Sequence, residues 1–245
     1  MIEHKGRKDV KLYMRKIVLS CMSLLVLLTG SLTYVTAQKS RVADSERHSR
    51  KAADAFADIM NVREKAIPRE LLDKAEAIAV FPDVVKAAFI VGGSGGQGVI
   101  SRRIRGGWSQ PVFFNLGGGS FGAQIGAAQT DYILLIMNDD GLKGLLKDKF
   151  ELGGEVGIAA GPIGRELSAS TNPRLDAGIL SYSRSKGVFI GAALKGASIS
   201  PDNNLNEAVY KRKAEQLLTG KLMTLKEMPP QVRIFPRTLA RYSIR

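Results

Sequence analysis

Glycine placement is the strongest constraint in this chain. Residues 81–109 read FPDVVKAAFIVGGSGGQGVISRRIRGGWS, a glycine-rich segment between two apolar runs that closes on the only tryptophan, Trp108. Residues 113–139, FFNLGGGSFGAQIGAAQTDYILLIMND, repeat this texture, as do residues 180–196, LSYSRSKGVFIGAALKG. A helix through Gly117-Gly118-Gly119 would lose about 1 kcal/mol per glycine relative to alanine. No long apolar helix surrounds them, so a GxxxG helix pair is rejected. On a strand, Gly118, Gly122 and Gly126 share one face with Ser120, Gln124 and Ala128, while Phe121, Ile125 and Ala127 take the other. The bare face permits close approach by a second sheet, a helix or a ligand, and Gly122 is where an added side chain is expected to overpack.

The remaining elements follow from periodicity. Residues 40–67 carry Ala52, Phe56, Ile59 and Met60 at helical spacing among charged residues, which predicts an amphipathic helix. Pro68 suits the first position of a short second helix, RELLDKAEA, with Leu71, Leu72 and Ala75 on one side. Ile78–Phe81 and Ala87–Val91 read as strands, Gly92–Gly96 as a turn, Val99–Arg105 as the partner strand and Gly106-Gly107 as the next turn. Asp139-Asp140-Gly141 caps a predicted helix over Leu142–Lys149. Leu152–Gly164 and Gly187–Ser198 are further small-residue strands. Asn203 caps a last helix, Leu205–Leu218, closed by Gly220. Residues 221–245 hold three prolines and four arginines and read as an irregular basic tail. No repeat period of a solenoid is present. The pattern is an α+β fold: a curved, glycine-rich antiparallel β core with flanking helices at both sequence ends.

The N-terminus reads as an export signal. Arg15-Lys16 precedes the apolar run Ile17–Leu28, and Val35-Thr36-Ala37 suits cleavage before Gln38. Met14 is an alternative start. The apolar run is shorter than the ~20 residues of a spanning helix, which argues against an uncleaved anchor. Cys21 is the only cysteine and lies inside this signal, so the mature chain has no disulfide, and no lipoprotein box is formed. The formal charge is +13; residues 1–37 hold six Lys/Arg and two Asp/Glu, leaving +9 after cleavage. A chain this basic is drawn to anionic surfaces.

Catalytic chemistry has little to work with. The histidines are His4, in the removable segment, and His48, on a polar helix. Neither a zinc ligand set nor a Ser–His pair is supported. Asp139-Asp140 reads as a turn and cap; Asp131 and Glu155 are further acids within apolar segments, and the sequence leaves open whether either is a paired structural charge. Gly92–Gly98 lacks the lysine and hydroxyl of a phosphate loop. Aromatics are few and lie mostly in apolar strands, unlike the stacking platforms of single-strand nucleic-acid binders. The basic clusters carry more weight: Arg102, Arg103 and Arg105 beside the glycine segment, Lys211, Arg212 and Lys213 on the last helix, and Arg233, Arg237, Arg241 and Arg245 in the tail.

AIAVFPDVVKAAFIVGG, GGWSQP, LGGGSFGAQIG, LLIMND and SYSRSKGVFIGAAL occur here in an order and spacing that resemble the SYLF domain family, over about Ala75–Gly220. The resemblance implies lipid binding without catalysis or cofactor; animal and fungal members are associated with phosphoinositides and actin regulation. The expected organisation is a signal peptide (1–37), an amphipathic helix (38–67), a SYLF lipid-binding core (68–220) and the tail (221–245). The expected function is that of an exported, periplasmic or envelope-associated, membrane-peripheral protein binding anionic phospholipid. The expected contacts are Arg102, Arg103, Arg105, Lys211, Arg212 and Lys213, with Phe56 and Ile59 as an apolar helix face that inserts at the interface. No catalytic, metal or nucleic-acid site is expected. The alternative is an envelope assembly protein that self-associates through its glycine-rich sheet.

Overall fold

The computed structural model describes residues 40–62, 66–88, 91–121, 126–154, 156–163, 177–185, 188–191, 194 and 196–243. The expected export segment and Gly122 lie outside these residues. The chain divides into two units, Met1–Ala43 and Asp44–Arg245. Of the first, residues 40–43 are described and are helical.

The second unit begins with helix α1, residues 44–60, and α2, Arg69–Lys74. Helix α1 stops at Met60, short of the expected Ile67. Pro68 is the N-cap of α2 rather than its first residue. Ten strands are described: β1 (Ala77–Ala88), β2 (Val91–Ile104), β3 (Gly107–Trp108), β4 (Val112–Phe121), β5 (Gly126–Ile136), β6 (Phe150–Glu151), β7 (Ile158–Ala160), β8 (Ile179–Ser185), β9 (Val188–Gly191) and β10 (Ser198–Pro201). Their main path is β6-β10-β4-β2-β1-β5-β8-β7, with β3 beside β2 and β9 beside β8. The pairs are antiparallel except for β7 with β8. Helices α3 (Asp139–Gly144), α4 (Asn203–Tyr210), α5 (Ala214–Thr219) and α6 (Ile234–Tyr242) complete an α+β fold with helices on both sequence sides of the sheet.

The Gly92–Gly96 segment corrects the sequence reading. It is not a turn but part of β2, paired on one side with β1 and on the other with β4. Gly93 stands opposite Gly119, Ser94 opposite Gly118, and Gly95 opposite Gly117. The predicted strands around Ile78 and Ala87 are one strand, β1, whose register shifts at Pro82 and Asp83 on both sides. Proline cannot donate to a ladder, and such positions are tolerated at bulges. Asp83 takes a left-handed φ of 51°, and Asp131 Oδ1 accepts its amide N–H at 2.9 Å. Glycine is required where β1 crosses its neighbour. A Cβ at Gly96 would lie 2.7 Å from Val84 Cγ2, and one at Gly98 would overlap the Phe81 ring and the Val80 carbonyl. At Gly95 a Cβ would meet nothing within 4 Å.

The C-terminal third also departs from expectation. Asn138, not Asp139, caps α3, accepting the Gly141 N–H at 2.9 Å. Asp139 and Asp140 then lie in the first turn, where carboxylates favour the helix dipole. The single predicted helix over 205–218 is two helices, broken where Lys211 adopts a left-handed φ of 59°. Asp202 caps α4, while Asn203 Oδ1 accepts the Ala214 N–H of α5. The predicted irregular tail contains α6. Pro236 falls in its first turn, where no helical N–H is lost, and Phe235 and Leu239 are fully buried.

These helices are fastened to Trp108–Phe113. The Trp108 indole N–H donates to Ser243 Oγ at 2.8 Å. The Gln110 amide donates to the Leu217 carbonyl and accepts from Met223. Tyr210 donates to the Pro111 carbonyl. The Asn206 amide bonds both backbone groups of Phe113, at 2.9 and 3.0 Å.

Gly98→Ala should lower the denaturation midpoint by an overpacking cost of about 1–3 kcal/mol. Gly95→Ala should change stability by no more than about 0.5 kcal/mol. Urea titration of both variants checks the contrast.

Candidate functional site

The structure separates the residues singled out from sequence. Phe56 and Ile59 are fully buried in the core, so no inserting apolar face is presented by them; the hydrophobic stripe of α1 packs inward. Arg102 and Arg103 face structural tasks. Arg102 Nη1 donates to the Leu218 carbonyl at 3.0 Å, at the end of α5. Arg103 donates to the Ala75 and Leu72 carbonyls at the end of α2 and lies 4.2 Å from the Trp108 ring centroid. Replacing all three arginines is therefore not expected to spare the fold. Arg105 is exposed, as are Lys211, Arg212 and Lys213, which occupy the break between α4 and α5 rather than a helix face. Asp131 is a structural charge: its carboxylate receives the Asp83 amide and the Arg184 guanidinium, which also reaches Asp58. Glu155 lies outside the described residues.

A cleft of about 510 Å³ lies between α1 and strands β1, β2 and β4. Arg47, His48 and Lys51 line it from α1, Pro82 and Asp83 from the β1 bulge. Gly95, Gly96 and Gln97 of β2 and Asn115 and Leu116 of β4 complete it. Arg47 and Lys51 are four apart and so project from one helix face. Arg47 pairs with Asp44 at 2.7 Å, and Lys51 with Asp83 at 2.7 Å. His48 is only 7% exposed, and no described residue hydrogen-bonds its ring. Burial holds its pKa below the usual 6.5, assisted by the Arg47 and Lys51 charges against the opposing pull of Asp44 and Asp202. The open position above Gly95 leaves room for a ligand atom close to the sheet backbone.

Asp83 offsets one charge, but Arg47 and Lys51 outnumber it, and with a neutral imidazole and two side-chain amides they suit the holding of an oxyanion. An arriving anion would favour protonation of His48 and so strengthen its own binding. Among the described residues, no group of three His, Cys, Asp or Glu side chains could hold a metal ion. Sequence reasoning passed over this cleft. Its only sequence signal is the Arg47–Lys51 spacing beside a histidine; nothing local places those residues over Gly95.

Residues 117–242, just over half of the chain, match the Ysc84 family model, described as a Las17-binding protein actin regulator. The chain is 30% identical over 177 residues to LAS seventeen-binding protein 3 of Saccharomyces cerevisiae, covering 70% of this chain and 38% of that protein. It is 29% identical over 206 residues to SH3 domain-containing YSC84-like protein 1 of Xenopus laevis, covering 80% and 61%. To the Homo sapiens protein of that name it is 31% identical over 152 residues, covering 61% and 44%. The chain thus spans between 38% and 61% of the length of these curated relatives. It belongs to the Ysc84, or SYLF, family.

Two measurements check the structural assignments. Arg103→Gln should destabilise by about 1–3 kcal/mol, because it strips partners from two carbonyls, whereas Arg105→Gln should leave the denaturation midpoint unchanged. With its folded pKa below 6.5, His48 binds less proton in the folded than in the unfolded chain over the interval between the two values. Stability should therefore fall as pH drops below 6.5. His48→Gln should flatten that limb of the pH profile.

Proposed function

We propose that this chain is an exported, non-catalytic protein of a bacterial cell envelope that binds anionic phospholipid head groups at the membrane surface. The observation that carries this reading is the cleft in which Arg47, His48 and Lys51 stand over an unobstructed glycine backbone. A phosphate there would find cations on one side and would not be blocked by side chains on the other. The formal charge of +9 that remains after removal of residues 1–37 supplies attraction to an anionic surface. Lys211, Arg212, Lys213 and Arg105 are further exposed cations. The yeast relative is named as a binding protein, in keeping with a role that needs no reaction. No described helix is long and apolar enough to cross a membrane.

Vesicle co-sedimentation tests the proposal. The full chain should bind phosphatidylglycerol-containing vesicles and should bind pure phosphatidylcholine vesicles far less. Binding should weaken as salt shortens the Debye length from ~30 Å at 0.01 M to ~8 Å at physiological strength. Each cation near the surface contributes about 1 kcal/mol, roughly fivefold, so Arg47→Gln with Lys51→Gln should weaken binding by about twenty-fivefold. The triple change of Lys211, Arg212 and Lys213 to Gln should also weaken it if the inter-helix break shares the surface. Salt-insensitive binding to neutral vesicles would sink the anionic head-group reading, and no binding to any vesicle would sink the lipid reading altogether. Concentration-dependent assembly without lipid would favour self-association through the sheet instead.

A further inference from the structure

We infer that a second cleft, between α1 and α6, is a site for a phosphate group bearing more than one negative charge. It measures about 270 Å³ and is lined by Arg50 and Glu46 of α1, Arg237, Thr238 and Arg241 of α6, and Arg233 with Gln231 just before α6. Four arginines line it against one acid. That carboxylate is already engaged, since Glu46 accepts from Arg50 at 3.1 Å. Among the described residues, none pairs with Arg237 or Arg241.

The helix dipole does not account for this arrangement. A cation in the last turn is favoured, which explains Arg241 alone. Arg233 is the N-cap of α6, Arg237 lies one turn on, and the first turn holds no acid. Arg233 thus sits at the positive end of the helix, where an anion would be favoured and a cation is not, and the dipole gives no reason for Arg237. A bound anion relieves that repulsion.

The geometry is also prepared for one. Arg233 is held by its Nε bond to the Met228 carbonyl and its Nη2 bond to the Lys226 carbonyl, which leaves Nη1 free to point elsewhere. Arg237 and Arg241 are four apart and share a face. Between them lies Thr238, 6% exposed and lining the cleft, its hydroxyl without a described partner. Arginine forks match phosphate oxygens two at a time, which lysines do not. The net excess of three positive charges favours a dianion, such as a phosphomonoester, over a diester. The group could be presented by a soluble phosphate or by a lipid head group, and the site stands independently of the membrane role proposed above.

Calorimetric titration of the full chain with inorganic phosphate and glycerol 3-phosphate, against chloride at matched ionic strength, tests the free form. Co-sedimentation with phosphatidic acid in phosphatidylcholine vesicles tests the lipid form. Arg237→Gln with Arg241→Gln alters exposed side chains and should keep the circular dichroism spectrum while weakening affinity at least about tenfold, the scale of lost charge-assisted hydrogen bonds. Arg237→Lys with Arg241→Lys keeps the charge but loses the fork, and should also weaken phosphate binding. The Lys211, Arg212 and Lys213 to Gln triple removes more charge elsewhere and should leave free-phosphate affinity within about twofold. Saturable binding of either probe that the Gln pair selectively loses supports the site; which probe binds identifies the source. Absence of saturation by both probes, or equal loss in the triple and the pair, overturns it. If phosphatidylglycerol vesicles fail but phosphate saturates, the membrane proposal falls and this site remains.

Discussion

Phe81 and Val84 can lie across β2 only because residues 96 and 98 have no side chains. The rest of the sheet is arranged around this crossing. β1 is flanked by β2 and β5, and its register shift between Val80 and Val85 lets both large residues stay buried on either side of Pro82-Asp83. The bulge thrusts Asp83 outward, where Asp131 secures its amide and Lys51 its carboxylate. One steric allowance therefore packs the core and shapes the rim of the cleft beneath α1. The same glycine-rich strand serves two ends: Gly96 and Gly98 are bare because something fills their space, Gly95 because nothing does.

The two clefts share α1 as a wall. Arg47, His48 and Lys51 project to one and Glu46 with Arg50 to the other. The helix can present charge on both flanks because its third face, with Ala52, Phe56 and Ile59, is fully committed to the core. Phe56 meets Tyr242 of α6 edge-on at 5.8 Å between ring centroids. That contact fixes the spacing across which Arg50 faces Arg237 and Arg241. Burial of the apolar stripe, which removes the expected membrane-inserting face, is thus what gives the basic residues a defined geometry.

The α+β class and the apolar stripe of α1 were legible because they rest on local periodicity, but the stripe was expected to face a membrane, and only tertiary packing turns Phe56 and Ile59 into the core. Gly92–Gly96 was misread for a physical reason. In isolation, consecutive glycines favour turns; here they are held extended by pairing with Leu116–Ser120, far off in sequence. The break at Lys211 depends on a left-handed backbone at a residue that rarely adopts one. Helix α6 was missed because Pro236 reads as a breaker and its stability comes from burying Phe235 and Leu239 rather than from propensity. Arg102 and Arg103 looked like surface charges because their carbonyl partners belong to α5 and α2. The clefts were invisible for a related reason: each joins charged residues of α1 to groups brought there by tertiary contact.

The bond from Trp108 to Ser243 spans 135 residues of chain. Its partners, like the Asn206 and Tyr210 contacts to Phe113 and Pro111, are made by segments that emerge about a hundred residues after the strands they satisfy. Closing loops of this length before any contact rewards them slows folding. During synthesis the Trp108 indole and the Phe113 backbone stay hydrated until α4 and Ser243 have left the ribosome, so the central strands are made long before the residues that satisfy these groups.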